Sequence, residues 1–183
     1  MNKNIVIVLS FLLLTTSVFA QRKKAIQRGY TTTETVIQDI KNPENSRRTV
    51  EVSDKKGRLI HVQEFNNLGK RTKDIATQYG RLDKSIITKN ALDSIIVVEH
   101  FSYNKQKQLI NHETIRKGGA QKERLQIEYN KWGQKIKETV SKNEKVVKTR
   151  NFIYNKEGLL LEQNTIGSDG QMQYQKKMNY LHE

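Results

Sequence analysis

Four glutamates, Glu64, Glu113, Glu138 and Glu162, recur near successive turn signals along a chain of 183 residues. Two carboxylates facing each other across a bond are the machinery of glycoside hydrolysis. A catalytic pair, however, is needed once, whereas a Glu-Lys cross-strand ladder is needed in every structural unit, so the recurrence favours the ladder. The four histidines, His61, His100, His112 and His182, show no His-Glu-x-x-His spacing. His100 and His112 flank the turn near Asn104 to Lys107 and are expected to face each other across one hairpin, with Glu99 and Glu113 beside them. Surface-strand histidines are the expectation, without a metal. Cysteine is absent, which removes thiolate metal ligands, disulfides and a lipid carried on an N-terminal Cys. No serine sits in a nucleophile elbow, and Gly118-Gly119 lacks the Gly-Lys-Ser/Thr of a phosphate loop. The expectation is a protein that is not an enzyme and has no cofactor.

The aromatic residues are the other source of chemistry. Phe65, Tyr103, Tyr129 and Tyr154 each precede an Asn. Trp132 lies two residues beyond the Asn that follows Tyr129. Aromatics at equivalent positions form a ladder across a sheet, each cross-strand pair contributing ~0.2–1 kcal/mol. The same ladder can act as a stacking platform for sugars, which makes Trp132, Tyr129 and Tyr154 the candidate binding residues. The structural ladder is the favoured reading.

These residues must be positioned by repeated hairpins. The stretches Tyr103-Asn104-Lys105, Tyr129-Asn130-Lys131 and Tyr154-Asn155-Lys156 define a period of roughly 25 residues. Turn signals arrive about every dozen residues, the pattern of an all-β meander. In Tyr129-Asn130-Lys131-Trp132-Gly133, Asn suits the first position of a type I turn and Gly the left-handed position that ends it. Asn130 and Gly133, Asn155 and Gly158, and Asn66 and Gly69 are thus predicted turn residues. The Asn104 copy carries Lys107 where Gly is expected, so that turn should be strained or differently built. Replacing Gly133 with Val should cost more stability than replacing Gln134 with Val. Val146, Lys148, Arg150, Phe152 and Tyr154 mix charge with aromatics on one side of a strand while Val147, Thr149 and Asn151 face the other way, which predicts an open or curved sheet with both faces partly wet. Glu34 to Ile40 is consistent with a first strand or a short helix.

Residues 1–20 carry Lys3, an apolar run from Ile5 to Leu14, and Val18 and Ala20 at the two small-residue positions of a cleavage site. This is the pattern of a secretory signal peptide. A flexible basic N-terminus at 21–33 and a repeat domain at 34–183 are expected to follow. The apolar run is shorter than the roughly 20 residues of a bilayer span, and no second run follows it, so the mature chain is expected to lack a transmembrane segment. Removal of the leader takes one positive charge, leaving 32 basic against 19 acidic side chains. A balance this basic favours anionic partners through long-range attraction, although Lys and Arg also protect exposed strand edges. The basic residues are spread along the chain, which argues against a nucleic-acid groove. A mean hydropathy of -0.76 implies a thin core and disfavours a large enclosed pocket.

Phe65-Asn66-Asn67-Leu68-Gly69-Lys70, Tyr129-Asn130-Lys131-Trp132-Gly133-Gln134 and Tyr154-Asn155-Lys156-Glu157-Gly158-Leu159 resemble the tyrosine-aspartate (YD) repeats of Rhs-type bacterial surface proteins. Asn takes the usual Asp position, and Asp54-Lys55-Lys56-Gly57-Arg58-Leu59 keeps the Asp but has Ser53 in place of Tyr. The resemblance implies a β-hairpin array outside the cytoplasm, with no catalytic residues in the repeat. The enclosing shell of the large Rhs proteins is not implied for so short a chain. Gly69-Lys70 is similar to the Gly-Lys dipeptide of exported antitoxin-like proteins of the YwqK type. Leader, size and composition resemble small envelope proteins of the Bacteroidota. Taken together, these features predict an exported binding or scaffolding module of the cell envelope, periplasmic by preference and extracellular as the other destination. The alternative is a binder of anionic glycan or lipopolysaccharide. An antitoxin-like role and an envelope-polymer hydrolase stand behind these.

Overall fold

The computed structural model describes residues 31–181. The predicted leader at residues 1–20, the segment from Gln21 to Tyr30, His182 and Glu183 lie outside the described residues. The described residues form twelve strands: β1 (Thr32–Ile37), β2 (Arg47–Ser53), β3 (Leu59–Phe65), β4 (Arg71–Tyr79), β5 (Asp83–Asn90), β6 (Ile95–Tyr103), β7 (Leu109–Arg116), β8 (Gln121–Tyr129), β9 (Lys135–Lys142), β10 (Lys145–Tyr154), β11 (Leu160–Gly167) and β12 (Met172–Lys177). Their order in the sheet is their order in the chain. The fold is therefore an all-β antiparallel meander that stays open. Among the described residues two short 3-10 turns, Pro43–Asn45 and Lys117–Gly119, interrupt the strands. The segment left open between strand and helix begins as strand. Its Thr-Thr-Glu-Thr-Val-Ile run is rich in β-branched residues, which suit a pleated surface, and Thr32 and Thr33 belong to it instead of to a flexible N-terminus.

Two compact units divide the described strands. The first holds the described residues up to Thr77 together with Asn90–Asp93, and so contains β1 to β3 and most of β4. Within it Glu64 opposes Lys73, and Asp74 receives His61 at 3.0 Å and Gln63 at 2.9 Å. Burial pushes the Asp74 carboxyl up, but Gln63, His61 and Arg71 more than offset that and hold it below its ordinary value.

The second unit holds Gln78–Lys89 and Ser94 onward. Its registers set out two faces. Lys84, Phe101, His112, Leu125, Val140 and Lys148 lie opposite one another in succession across six strands. On the same face Ile127, Glu138, Arg150, Thr165 and Tyr174 form a second row. Ser85, His100, Glu113, Arg124 and Ser141 form a row on the other face. No hydrophobic residue is buried among those described; the buried side chains are Ser53, Thr88, Thr114, Glu138 and Thr165. Thr165 stands in register between the longer side chains of Arg150 and Tyr174. Backbone pairing and cross-strand contacts, with no packed interior, carry this fold.

The hairpin corners follow the predicted chemistry. At Asn130 the backbone N–H donates to Gln134 O at 2.9 Å and the Gly133 N–H to Asn130 O at 3.0 Å. Asn130 Oδ1 accepts from the N–H groups of Trp132 and Gln134, both at 3.0 Å. Gly133 has φ +80°, the left-handed geometry a side chain disfavours. The preceding Tyr129 sits at a register shift, so the corner is a type I turn with a bulge. The corner at Asn155 with Gly158, and that at Asn66 with Gly69, repeat this bonding. Lys107 adopts φ +63° within the same backbone hydrogen bonds. That corner is therefore strained and not differently built.

One expected equivalence fails. Asp54, Asn104, Asn130 and Asn155 each open a corner leading from an even-numbered strand to an odd one, whereas Asn66 leads from β3 to β4. Asn66 uses the same turn chemistry half a period out of phase. Phe65 is correspondingly not a member of the tyrosine series; Tyr79 and Tyr180, which lie in phase, are.

Candidate functional site

Three tyrosines of the second unit share one task. Tyr129 donates its hydroxyl to Leu109 O at 3.0 Å, Tyr154 to Lys135 O at 2.9 Å and Tyr180 to Leu160 O at 3.0 Å. Tyr129 and Tyr154 thus tie the ends of β8 and β10 to the start of a strand in the preceding hairpin, and Tyr180 makes the same bond from three residues beyond the end of β12. The predicted ladder is a set of clamps, and the phenol groups are already committed.

The corners are joined as well. Asn104 Nδ2 donates to Gln108 Oε1 at 2.9 Å, and Gln108 Nε2 donates to Gly133 O at 2.7 Å. Asn130 and Gln134 repeat this at 2.8 Å, with Gln134 Nε2 donating to Gly158 O at 2.9 Å. Glycine is required twice over at these corners, since a Cβ on Gly158 would lie 3.0 Å from Gln134 Nε2 and one on Gly133 3.2 Å from Gln108 Nε2. The clue in the sequence is Gln four residues after Asn in two consecutive copies.

Between the corners at Asn130 and Asn155 lies a cleft of about 350 Å³. Ile136, Phe152 and Tyr154 line it together with Trp132, Lys156 and Glu157. Trp132 is 74% exposed, and the Lys131 ammonium stands 4.5 Å from its ring centroid. Of the three candidate binding residues, the structure brings Trp132 and Tyr154 together. Tyr129 is not among the lining residues. Phe152, Ile136 and Lys156 were not singled out in the sequence, because only register places them beside Trp132. A larger cleft, about 660 Å³, lies in the first unit between the segment around Asp39 and the Asn66 corner. Its lining is aliphatic and polar, with no aromatic platform.

The charged residues fall apart as sites. Glu138 is buried, with Lys135 Nζ at 2.7 Å and an Arg150 guanidinium nitrogen at 2.8 Å. Burial pushes its carboxyl up, yet these two hydrogen bonds prevail and hold it below its ordinary value. Glu113, paired with Arg124 at 2.8 Å and Lys122 at 3.2 Å, behaves alike. Glu162 opposes Lys177 and Ile153. The registers put Glu138 on the face opposite to Glu113 and Glu162, and β8, β9 and β10 separate Glu113 on β7 from Glu162 on β11, so no two of these three converge. Each recurrent Glu instead opposes a basic residue of the next strand, the expected ladder.

His100 and His112 do not face each other. His112 opposes Phe101 and His100 opposes Glu113, which places the two imidazoles on opposite faces, since a one-residue offset reverses a strand side chain. His112 stacks on Phe101 at 4.1 Å between centroids and contacts Glu99 at 3.1 Å. Among the described residues no cluster of three or more His, Asp or Glu could hold a metal ion. No helix among them is long and apolar enough to cross a membrane.

No family model matches the chain, and no curated protein matches it. Among solved structures the chain is similar to the crystal structure of TcdB2-TccC3, with 13% identity and a TM-score of 0.27 over 80% of this chain. It spans only 11% of the length of that chain. A protein of unknown function from Bacteroides fragilis NCTC 9343 is similar at 10% identity and a TM-score of 0.20, over 80% of this chain and 93% of that one.

Proposed function

We propose that this chain is an exported, non-enzymatic binding or scaffolding module of the bacterial cell envelope, acting through an open β-sheet of the tyrosine-aspartate repeat kind. The observation that carries this reading is the absence of any buried hydrophobic residue among those described. A sheet of this kind spends its side chains on its two faces, where they are available to a partner, and encloses no reaction chamber. The leader-like residues 1–20 support export, with the periplasm as the favoured destination. Periplasmic fractionation followed by crosslinking from residues on the sheet faces tests the reading. Recovery in the envelope fraction with crosslinks to an envelope component is expected; cytoplasmic material with no such crosslink would overturn it.

A second reading, binding of an anionic glycan, is favoured by one specific observation. Trp132 is exposed, with the Lys131 ammonium over its ring, beside a cleft lined by Ile136, Phe152 and Lys156. Binding that weakens as salt rises is expected, because exposed charges are screened within a Debye length of about 10 Å at 0.1 M.

A further inference from the structure

We propose that copies of this chain join head to tail, β1 of one copy adding to β12 of another as the next antiparallel strand, in a register that sets Glu34 opposite Lys177 and Ile37 opposite Tyr174. The proposal goes beyond the envelope-module reading, since it concerns how copies of the chain meet and not where they act.

Among the described strands β1 and β12 each have a single neighbour, so each leaves a row of backbone N–H and C=O groups unpaired. Native edges are commonly blunted with Lys or Pro. β1 has neither, and β12 carries its two lysines at its last two positions. The bonds that point inward fix which groups point outward, because successive residues of an antiparallel strand bond to alternate sides. The Ser53 N–H donates to Thr31 O at 2.7 Å, and the β1–β2 register then directs Thr33, Thr35 and Ile37 to β2. Thr32, Glu34 and Val36 turn their backbone groups to the open side. At the other edge the Met178 N–H donates to Leu161 O at 2.9 Å, so Tyr174 and Lys176 bond to β11. Gln175 and Lys177 turn theirs to the open side.

A new antiparallel ladder must match outward residues with outward residues, which excludes any register with Glu34 opposite Lys176. Of the registers that remain, the one joining Glu34 to Lys177 alone pairs opposite charges. It also sets Val36 against Gln175, and Ile37 against Tyr174, two side chains that are 45% and 53% exposed. Glu162 lies opposite Lys177 within the chain, and Arg48 stands 3.2 Å from Glu34. The junction thus continues the alternation of acid and base from strand to strand. Two-fold pairing of like edges offers no such match, since β1 holds no basic residue and β12 no acidic one.

The chain contains no cysteine, so an introduced pair reports one contact. Ile37→Cys and Tyr174→Cys are made in separate full mature chains, which are mixed and mildly oxidised. The two positions form a non-hydrogen-bonded pair with Cα atoms about 4.5 Å apart, within disulfide range. The mixed disulfide is expected in several-fold excess over either homodisulfide, and over the product of Thr35→Cys with Tyr174→Cys. Light scattering of the parent should show a mass that rises with concentration and falls with salt. Val36→Pro removes an N–H that no described strand uses, and should leave a monomer with unchanged circular dichroism. A parent that is monomeric at every concentration, a preference for homodisulfides, or a folded Val36→Pro that still assembles would overturn head-to-tail joining. An equally abundant Thr35→Cys product would overturn the register, and with it the pairing of Glu34 with Lys177. The envelope-module reading answers separately to fractionation and crosslinking.

Discussion

The side-chain amide of Gln134 reaches the backbone carbonyl of Gly158, 24 residues ahead, at 2.9 Å, and so ties one hairpin corner to the next. Gln108 does the same to Gly133 at 2.7 Å. The residue that looks interchangeable beside the turn glycine is the clip between repeats. Gly133→Ala should then be more costly than Gly170→Ala. Both have positive φ, but a Cβ at Gly170 would meet nothing within 4 Å, while one at Gly133 would crowd Gln108. Loss of the clip adds about 1 kcal/mol to the conformational strain, and urea unfolding of the two variants reads the difference. Gln134→Val should itself cost about 1 kcal/mol, so it is no neutral control for Gly133→Val.

Lys107 is the counterpart in which strain is already present. It holds φ +63° in a corner otherwise built like its neighbours. Lys107→Gly should stabilise the protein by about 1 kcal/mol, the scale of a left-handed residue carrying a Cβ. A midpoint that falls on chemical denaturation would show that Lys107 makes a compensating contact.

The buried Glu138 predicts acid sensitivity. Its carboxyl is held below its ordinary value, so the stability it supplies is fully present above the unfolded Glu value of about 4.3 and is lost as pH falls through the lower folded value. Glu138→Gln should cost about 1–2 kcal/mol at neutral pH, the scale of hydrogen bonds to charged groups. The variant should also lose less further stability on acidification than the parent, as unfolding curves at the two pH values would reveal.

The tyrosine clamps are testable by removing one oxygen. Tyr154→Phe leaves the ring and deletes the bond to Lys135 O, and should cost about 1 kcal/mol. Tyr180→Phe should cost less, since Tyr180 is 49% exposed and water can replace the lost donor. Equal denaturation midpoints for Tyr154→Phe and the parent would remove the clamp assignment.

Much of this fold was legible because turn chemistry is local. Asn130 and Gly133 declare their corner through the bonds Asn makes two and four residues on and the φ that Gly tolerates. What was not legible depended on strand register. Nothing within the Asn66 corner reveals that it is half a period out of step with Asn130, since both ends of a meander use the same turn. His100 and His112 looked like partners across a hairpin, and one residue of offset sends them to opposite faces. The roles of Gln134 and Phe152 were not legible because their partners, Gly158 and Trp132, lie far along the chain. The Glu ladder was the exception: recurrence at hairpin spacing is itself a statement about cross-strand partners.

Every strand in this meander has partners drawn only from its immediate neighbours in the chain, so the protein's length is a free variable. A unit of two strands can be gained or lost without asking any remaining strand to find a new partner, as in other arrays held by nearest-neighbour interfaces. Deleting residues 104–129 would join Tyr103 to Asn130 and regenerate Tyr-Asn-Lys-Trp-Gly at the seam. That shortened chain should retain the β-sheet circular dichroism of the parent and unfold cooperatively, whereas excision of a single strand would reverse the direction of everything after it. Gene duplication and deletion can thus adjust how much surface such a protein displays while leaving its folding rules untouched.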